Sequence, residues 1–396
     1  MNLFSGLPAV QDDAIIALMQ AFRDDPRPEK IDLGVGVWRD EAGRTPPMRA
    51  VRAAEARLAA REEDRGYTAL AGEPAFRGAI RDLVLGGAVP AARCATLATV
   101  GGSGALAMAC RLIAGARPGA RLWLPVPTWP NHAPIAAHAG LATTPYRYYD
   151  AGSGEVDADG LLADLGGLAA GDVVLLHGCC HNPTGADPDA VLWAAIAARI
   201  GAAGARPLID LAYPGLADGL EADLAPTRML AARLPEALIA VSGSKSFGLY
   251  RERAGALIAV AGDEAGAGRA MGELTRLNRV SYSFPPDHGA RLVTEVLGDQ
   301  ALRAEWEAEL AEMRARLTGL RAALSRALSE AAGSDRHGAI AAQRGMFSTL
   351  PLDAAALARL REQHAIYAVP GGRINLAGLT EGTVPRAARA LVAAGL

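Results

Sequence analysis

The chain has 396 residues, 51% of them hydrophobic, and a formal net charge of −3 from 40 basic and 43 acidic side chains. That length exceeds one ordinary domain, so a large core with a smaller companion is expected. The near-balanced charge excludes the basic face that nucleic acid requires and the polybasic patch that anionic lipid attracts, leaving small molecules as the natural partners.

The first twenty residues lack a cationic start and carry two aspartates, Asp12 and Asp13, ahead of an apolar stretch. That is unlike a secretory signal, and no apolar run reaches membrane-spanning length, so a soluble cytoplasmic protein is expected. Four cysteines, including the adjacent Cys179 and Cys180, fit a reducing compartment better than a disulfide framework.

Further along, residues 99–112 place glycines and a serine directly before a helical pattern. Short apolar runs at 121–128, 172–178, 206–213, 237–244 and 254–262 then end in polar loops and give way to helical periodicity. This alternation predicts an α/β fold with a mostly parallel sheet covered by helices, its ligands gathered beyond the carboxyl ends of the strands. Residues 300–332, with Trp306, Leu310, Met313, Leu317, Leu320 and Leu324 at helical spacing, predict one long amphipathic helix, and core packing accounts for that stripe. It leads into a C-terminal α/β unit containing GMFSTL and GGRINLAG.

Three segments carry candidate chemistry. TVGGSGALAMACRL offers free backbone N–H groups and the positive end of a helix dipole to an anion such as phosphate. Gly102, Gly104 and Ala107 also match the loose dinucleotide pattern, but the acid expected about 20 residues later is missing: no Asp or Glu lies between Cys110 and Tyr149. HGCCHNPTG clusters histidines and cysteines too tightly to converge on one zinc ion, and reads instead as a loop in which Asn182 offers an amide to a ligand while Pro183 and Gly185 make the turn. SGSKSFGLYRER combines a possible amine nucleophile, Lys245, with Ser242, Ser244 and Arg253, which suit phosphate; a solvated Lys-Arg loop is the alternative.

Two single residues complete the set. Asp210 ends an apolar run, where its carboxylate needs a partner; a protonated ring nitrogen is one, and a helix N-cap is another. Arg373 sits between two glycines and the apolar INLAG, either clamping a carboxylate in a cleft or solvated at a strand edge.

Taken together the sequence resembles the fold-type I aminotransferases of the aspartate and aromatic amino-acid family, nearly over its whole length. IDLGVGVWRDEAG, ATVGGSGAL, PTWPNH, YRYYD, GDVVLLHGCCHNPTGA, PLIDLAY, SKSFGLYRER, YSFPP, RAEWEAELAEMR, RGMFS and GGRINLAGL occur in the family's order. The resemblance implies pyridoxal 5'-phosphate as cofactor and Lys245 as its Schiff-base lysine. It pairs Asp210 with the pyridine nitrogen, supported by His132, and sets Asn182 and Tyr213 on the phenolic oxygen and Trp129 over the ring. Gly102, Ser103, Gly104, Ser242, Ser244 and Arg253 would hold the phosphate, joined by Tyr67 of a neighbouring subunit. Arg373 would clamp the substrate α-carboxylate beside Gly36, Trp129 and Asn182, and Arg279, donated across a homodimer interface, would face the substrate side chain. The implied domains are an N-terminal arm with part of the small domain at 1–35, a large cofactor-binding domain at 36–310 and a small domain at 311–396.

Arg279 suits a dicarboxylate, and an aromatic side chain would leave it without its anion unless it swings into water. Ser281 and Phe284 in LNRVSYSFPP resemble the bacterial aromatic enzymes, which favours phenylalanine, tyrosine and tryptophan as donors with aspartate retained and 2-oxoglutarate as acceptor. A strict aspartate enzyme is the alternative. A non-catalytic effector-binding protein is another, although regulators of that kind carry an added basic helix-turn-helix for which this chain has no spare length. Ser246, Trp38, Pro214 and the STL of GMFSTL depart from the family pattern, and two of these positions are expected to border the pocket entrance.

Overall fold

The computed structural model describes residues 3–7, 14–61 and 66–396. Its centre is a seven-stranded sheet: β1 (Cys94–Val100), β2 (Arg121–Val126), β3 (Ala142–Arg147), β4 (Val173–His177), β5 (Arg206–Leu211), β6 (Ala237–Ser242) and β7 (Ala254–Val260), in the order β1-β7-β6-β5-β4-β2-β3. β4 and β7 are buried along their whole length, which is why they read as unbroken apolar runs rather than alternating ones. The pairs among β6, β5, β4, β2 and β3 are parallel, whereas β7 runs antiparallel to both β1 and β6. β3 escapes a run-based reading because ATTPYR is largely exposed and contains Pro145, and proline is tolerated there because this strand forms the edge of the sheet.

Parallel register aligns the ends of the middle strands. His177 on β4 stands opposite Asp210 on β5, and Asp210 opposite Ala240 on β6. The loops that follow therefore open on one edge of the sheet, together with the start of the helix Gly101–Ala116 that follows β1.

The predicted long helix runs Gln300–Ala332 and buries the anticipated stripe. Asp299 starts it by accepting the N–H groups of Ala301 and Leu302, each at 2.9 Å, and Gly333 at φ 64 ends it in the left-handed conformation. Trp306 is fully buried, stacks on Phe247 at 4.5 Å and donates its indole N–H to the Ser246 carbonyl at 2.7 Å. Truncating so large a buried ring costs about 3–5 kcal/mol. The helix is thereby fixed to the loop that carries Lys245.

The terminal segments meet beside the sheet. Ile31–Asp32 pairs in parallel with Ile366–Tyr367, and Phe347–Thr349 pairs antiparallel with Arg373–Asn375. Lys30 closes the helix Ala14–Asp24 by donating to the carbonyls of Phe22 and Asp25 at 2.7 and 2.6 Å, a convergence suited to a compact ammonium. Among the described residues no helix is long and apolar enough to cross a membrane.

Candidate active site

Beyond the carboxyl ends of the strands lies a cavity of about 190 Å³. It is lined by Gly102, Ser103, Trp129, Asn182, Asp210, Tyr213, Ser242, Ser244, Lys245 and Arg253, all singled out in the sequence, together with Leu106 and Ala212, which were not. Gly104 is on the same first helical turn as Gly102 but does not line the cavity.

One end of the cavity is built for an anion. No side chain caps the helix that begins at Gly101, and although the Gly101 N–H donates to the Arg253 carbonyl at 2.8 Å, the positive dipole end and the N–H groups of Gly102 and Ser103 adjoin the space beside Ser242 and Ser244. Gly101 has a φ of 63 and packs its α-carbon against the Arg253 guanidinium, which a Cβ would strike. A Cβ on Gly102 would lie 2.9 Å from that of Ser242. Arg253 donates to the Ser244 hydroxyl at 3.1 Å and the Tyr250 carbonyl at 3.2 Å, and pairs with no carboxylate among the described residues. A guanidinium, two hydroxyls and a bare helix start fit a phosphate.

At the other end Asp210 accepts from His132 Nε2 at 3.2 Å. His132 Nδ1 lies 2.7 Å from Thr128 Oγ1, which lies 3.1 Å from His177 Nε2, and the Asn182 N–H points at His177 Nδ1 at 3.4 Å. One proton assignment satisfies the whole row. Asn182 can only donate, so His177 Nδ1 accepts and its Nε2–H donates to Thr128; the single Thr128 proton goes to His132 Nδ1, and His132 Nε2–H donates to Asp210. Burial holds the His177 pKa far below its ordinary value, in keeping with a neutral ring. Burial alone would raise the Asp210 pKa, but the His132 hydrogen bond and the charge of Lys245 lower it further, so a fixed carboxylate faces the cavity. Thr128 and His177 carry this row, and neither was picked out from sequence, although Thr128 precedes His132 by four residues within PTWPNH.

Lys245 lies between these ends, its amine 5.0 Å above the Tyr213 ring. Burial pushes its pKa down from 10.5 to about 8; Asp210 opposes the shift, and Arg253 and Arg373 add to it. The Tyr213 hydroxyl is pushed up, by burial first and then by Asp210. Ser246 and Pro214, two of the departures from the family pattern, lie buried behind the lysine, with the Ser246 hydroxyl donating to the Pro214 carbonyl at 2.8 Å. Neither is among the residues lining the cavity, and neither are Trp38 and Thr349.

Arg373 adjoins the cavity through Asn182, whose Oδ1 is 3.4 Å from its Nη1. The guanidinium is buried, donates from Nη2 to the Gly34 carbonyl at 2.7 Å and lies 4.5 Å over the Phe347 ring, while its Nε has no partner. Asp32 holds the Gly34 turn by accepting the N–H of Gly34 at 2.9 Å. Gly36 faces the edge of the same phenyl ring, 3.2 Å from where its Cβ would be. A buried guanidinium with a free N–H and no carboxylate is half of an ion pair.

Tyr67 and Arg279 stand apart from this cavity. Tyr67 is 90% exposed and stacks on Phe284 at 4.8 Å, and Arg279 is exposed with its Nη1 donating to Ser283 at 3.0 Å. Among the described residues no group of histidines, cysteines and carboxylates is placed to hold a metal.

The family model described as aminotransferase class I and II matches residues 28–391. The aromatic-amino-acid aminotransferase of Paracoccus denitrificans is 50% identical over 97% of this chain and 98% of its own. The aspartate aminotransferase of Escherichia coli K12 is 41% identical over 99% of this chain and all of its own. A crystal structure of the aromatic-amino-acid aminotransferase from Burkholderia pseudomallei, covalently bound to pyridoxal phosphate, superposes with a TM-score of 0.96 at 40% identity over the full length of both chains.

Proposed function

Because the chain belongs to the class I and II aminotransferase family, it is a pyridoxal-phosphate-dependent aminotransferase, and we propose that it moves amino groups from phenylalanine, tyrosine and tryptophan, and from aspartate, to 2-oxoglutarate. The observation that carries this reading is the meeting of a depressed-pKa lysine, a fixed aspartate and a half-paired buried arginine around one cavity. The 50% identity to an aromatic enzyme supports the donor class, and so does an Arg279 held by one hydroxyl and free to turn aside.

When bound, the cofactor supplies an aldehyde for amine exchange and a protonated ring that draws electrons from the substrate Cα. The phosphate site at Ser242, Ser244, Arg253, Gly102 and Ser103 anchors one end of it. Asp210, locked by His132, would hold a protonated ring nitrogen; Asn182 and Tyr213 would offer donors to the phenolic oxygen, and Trp129 would pack against the ring. Arg373 receives the α-carboxylate on its free N–H edge. With the substrate so held, the Lys245 amine would take the Cα proton as general base and hold it at Nζ as an ammonium.

The amine must be neutral to act, which sets a pH dependence. The neutral fraction grows as pH rises through the Lys245 pKa of about 8. Capture of pyridoxal phosphate by the apoprotein should therefore accelerate with a midpoint near that value. Asp210→Asn removes the anion that raises this pKa, so the midpoint should move lower still. Stopped-flow absorbance from pH 6 to 10 reads both, and a midpoint at the ordinary lysine value in both proteins would remove the amine from this role.

Tyr67 and Arg279 gain a function only if a second copy brings them to this cavity, so the active species is read as a homodimer. The large unit is taken as 36–310 and the small one as 311–396 joined by 1–35, a division supported by the pairing of Ile31–Asp32 with Ile366–Tyr367. Separate hydrogen-exchange protection of the two units is the check. Four free cysteines, three of them buried, support a cytoplasmic location, which cell fractionation tests.

The deciding assay compares kcat/KM for phenylalanine, tyrosine, tryptophan and aspartate with 2-oxoglutarate. Comparable values for aromatic and acidic donors are expected, from a species that sediments as a dimer. Turnover of aspartate alone would mean a strict aspartate enzyme, and a fully active monomer would remove the shared site.

A further inference from the structure

We infer that Arg321 is a positioning residue for the carboxylate end of the substrate site, a role that rests on reading Arg373 as the substrate-carboxylate clamp. Arg321 lies in the middle of the helix Gln300–Ala332 and is only 2% exposed. Burial lowers its pKa to about 10, so it remains charged at neutral pH. No carboxylate pairs with it among the described residues; its partners are carbonyls and one hydroxyl. Nη2 donates to the carbonyls of Arg344 and Gly345, both at 2.9 Å, and of Phe347 at 2.5 Å. Nη1 donates to Ser348 Oγ at 2.7 Å and the Ile340 carbonyl at 3.3 Å, and Nε to the Gly345 carbonyl at 3.2 Å.

A buried charge is a poor way to gain stability, since an apolar side chain of similar volume packs as well without the desolvation cost. What the fork supplies here is direction. All its acceptors belong to residues 340–348, a stretch with only the one-turn helix Ala339–Ala342 and the start of the strand Phe347–Thr349 to define its path. The guanidinium sets that path from a rigid helix.

Two of the three supports of Arg373, Phe347 and Asn182, start from this point, and the third is the Gly34 carbonyl. The carbonyl of Phe347 is held by Arg321, and its ring lies under the Arg373 guanidinium. On the other side, Gly185 at φ 73 packs so closely that a Cβ would strike the Phe347 carbonyl and lie 3.0 Å from Arg321 Nη2. The turn containing Gly185 carries Asn182, whose Oδ1 meets Arg373 Nη1. Shifting Arg321 should thus displace the phenyl platform and the amide partner of Arg373 together, while the cofactor contacts at Lys245 and Arg253 stay in place.

Every donor and every oxo-acid acceptor carries the carboxylate that Arg373 receives, so the expected signature is a shared rise in KM. In the holoenzyme, Arg321→Met should raise KM for phenylalanine and for 2-oxoglutarate, and the inhibition constant of 3-phenylpropionate, by about tenfold, with kcat changed by less than about threefold. Cofactor affinity, read by absorbance titration, should fall by less than about threefold, because Asn182 shifts while the phosphate contacts do not, and Arg321→Lys should recover part of the loss. A lowered Tm with unaltered KM and inhibitor binding would reduce Arg321 to a structural residue, and a parallel loss of cofactor affinity would also overturn the inference. If neither variant folds, Ser348→Ala, which removes one acceptor, must weaken 3-phenylpropionate binding about twofold, and unchanged binding would refute the role. Arg373→Leu run alongside separates the two readings. No change in KM there discards the clamp itself; a change there but not in the Arg321 variants discards only the present inference.

Discussion

Lys245→Ala is expected to lower kcat for phenylalanine transamination by about a millionfold, the scale seen when one side chain serves as both nucleophile and base. The loss should fall on kcat rather than on cofactor retention, because the phosphate site proposed at Ser242, Ser244, Arg253 and the Gly101 helix does not involve the amine. Only two of the 40 lysines and arginines are lysines, Lys30 and Lys245. In a chain that otherwise uses arginine throughout, one lysine remains where several carbonyls converge on a compact donor and the other where an amine must lose its proton at workable pH. This scarcity sharpens the measurement. Borohydride reduction of the holoenzyme followed by peptide mass mapping should leave the cofactor mass on the Lys245 peptide, and label on Lys30 or on no peptide would contradict the assignment.

Arg373→Leu should lower kcat/KM for every donor by about a thousandfold, since removing one partner of a buried ion pair costs about 3–5 kcal/mol. The residue has no anion of its own, its Nε is unpartnered, and Gly34, Asn182 and Phe347 hold it in one orientation before any ligand arrives. Preorganisation of that kind places the loss on substrate capture. Equal losses for phenylalanine and aspartate are expected, because the α-carboxylate is common to both. A loss confined to aspartate would instead assign Arg373 to the side-chain carboxylate and reverse its role with Arg279.

Much of this site was legible in the chain. Apolar runs ending in polar loops located five of the seven strands, and the strand-loop placement of Asp210, Asn182 and Lys245 put them on one edge because parallel strands share their carboxyl ends. The resemblance supplied their roles. The direction of β7 escaped the periodicity, which is the same for either sense of a strand. Loop length held that information, since residues 243–253 are too few for the crossover that a parallel neighbour needs.

Sequence by itself determined the family, the cofactor chemistry and ten of the twelve residues that line the cavity, because motifs fixed by backbone turns and by functional groups are local and survive in linear order. Tertiary structure alone decided what those residues lean on. Thr128 and His177 orient Asp210 through contacts spanning β2, β4 and β5. Ser246 and Pro214 answer one another behind Lys245. Arg321 reaches Arg373 only through the path of residues 340–348. Each of these depends on groups far apart in the chain meeting at hydrogen-bond distance, and no spacing within a sequence encodes such a meeting.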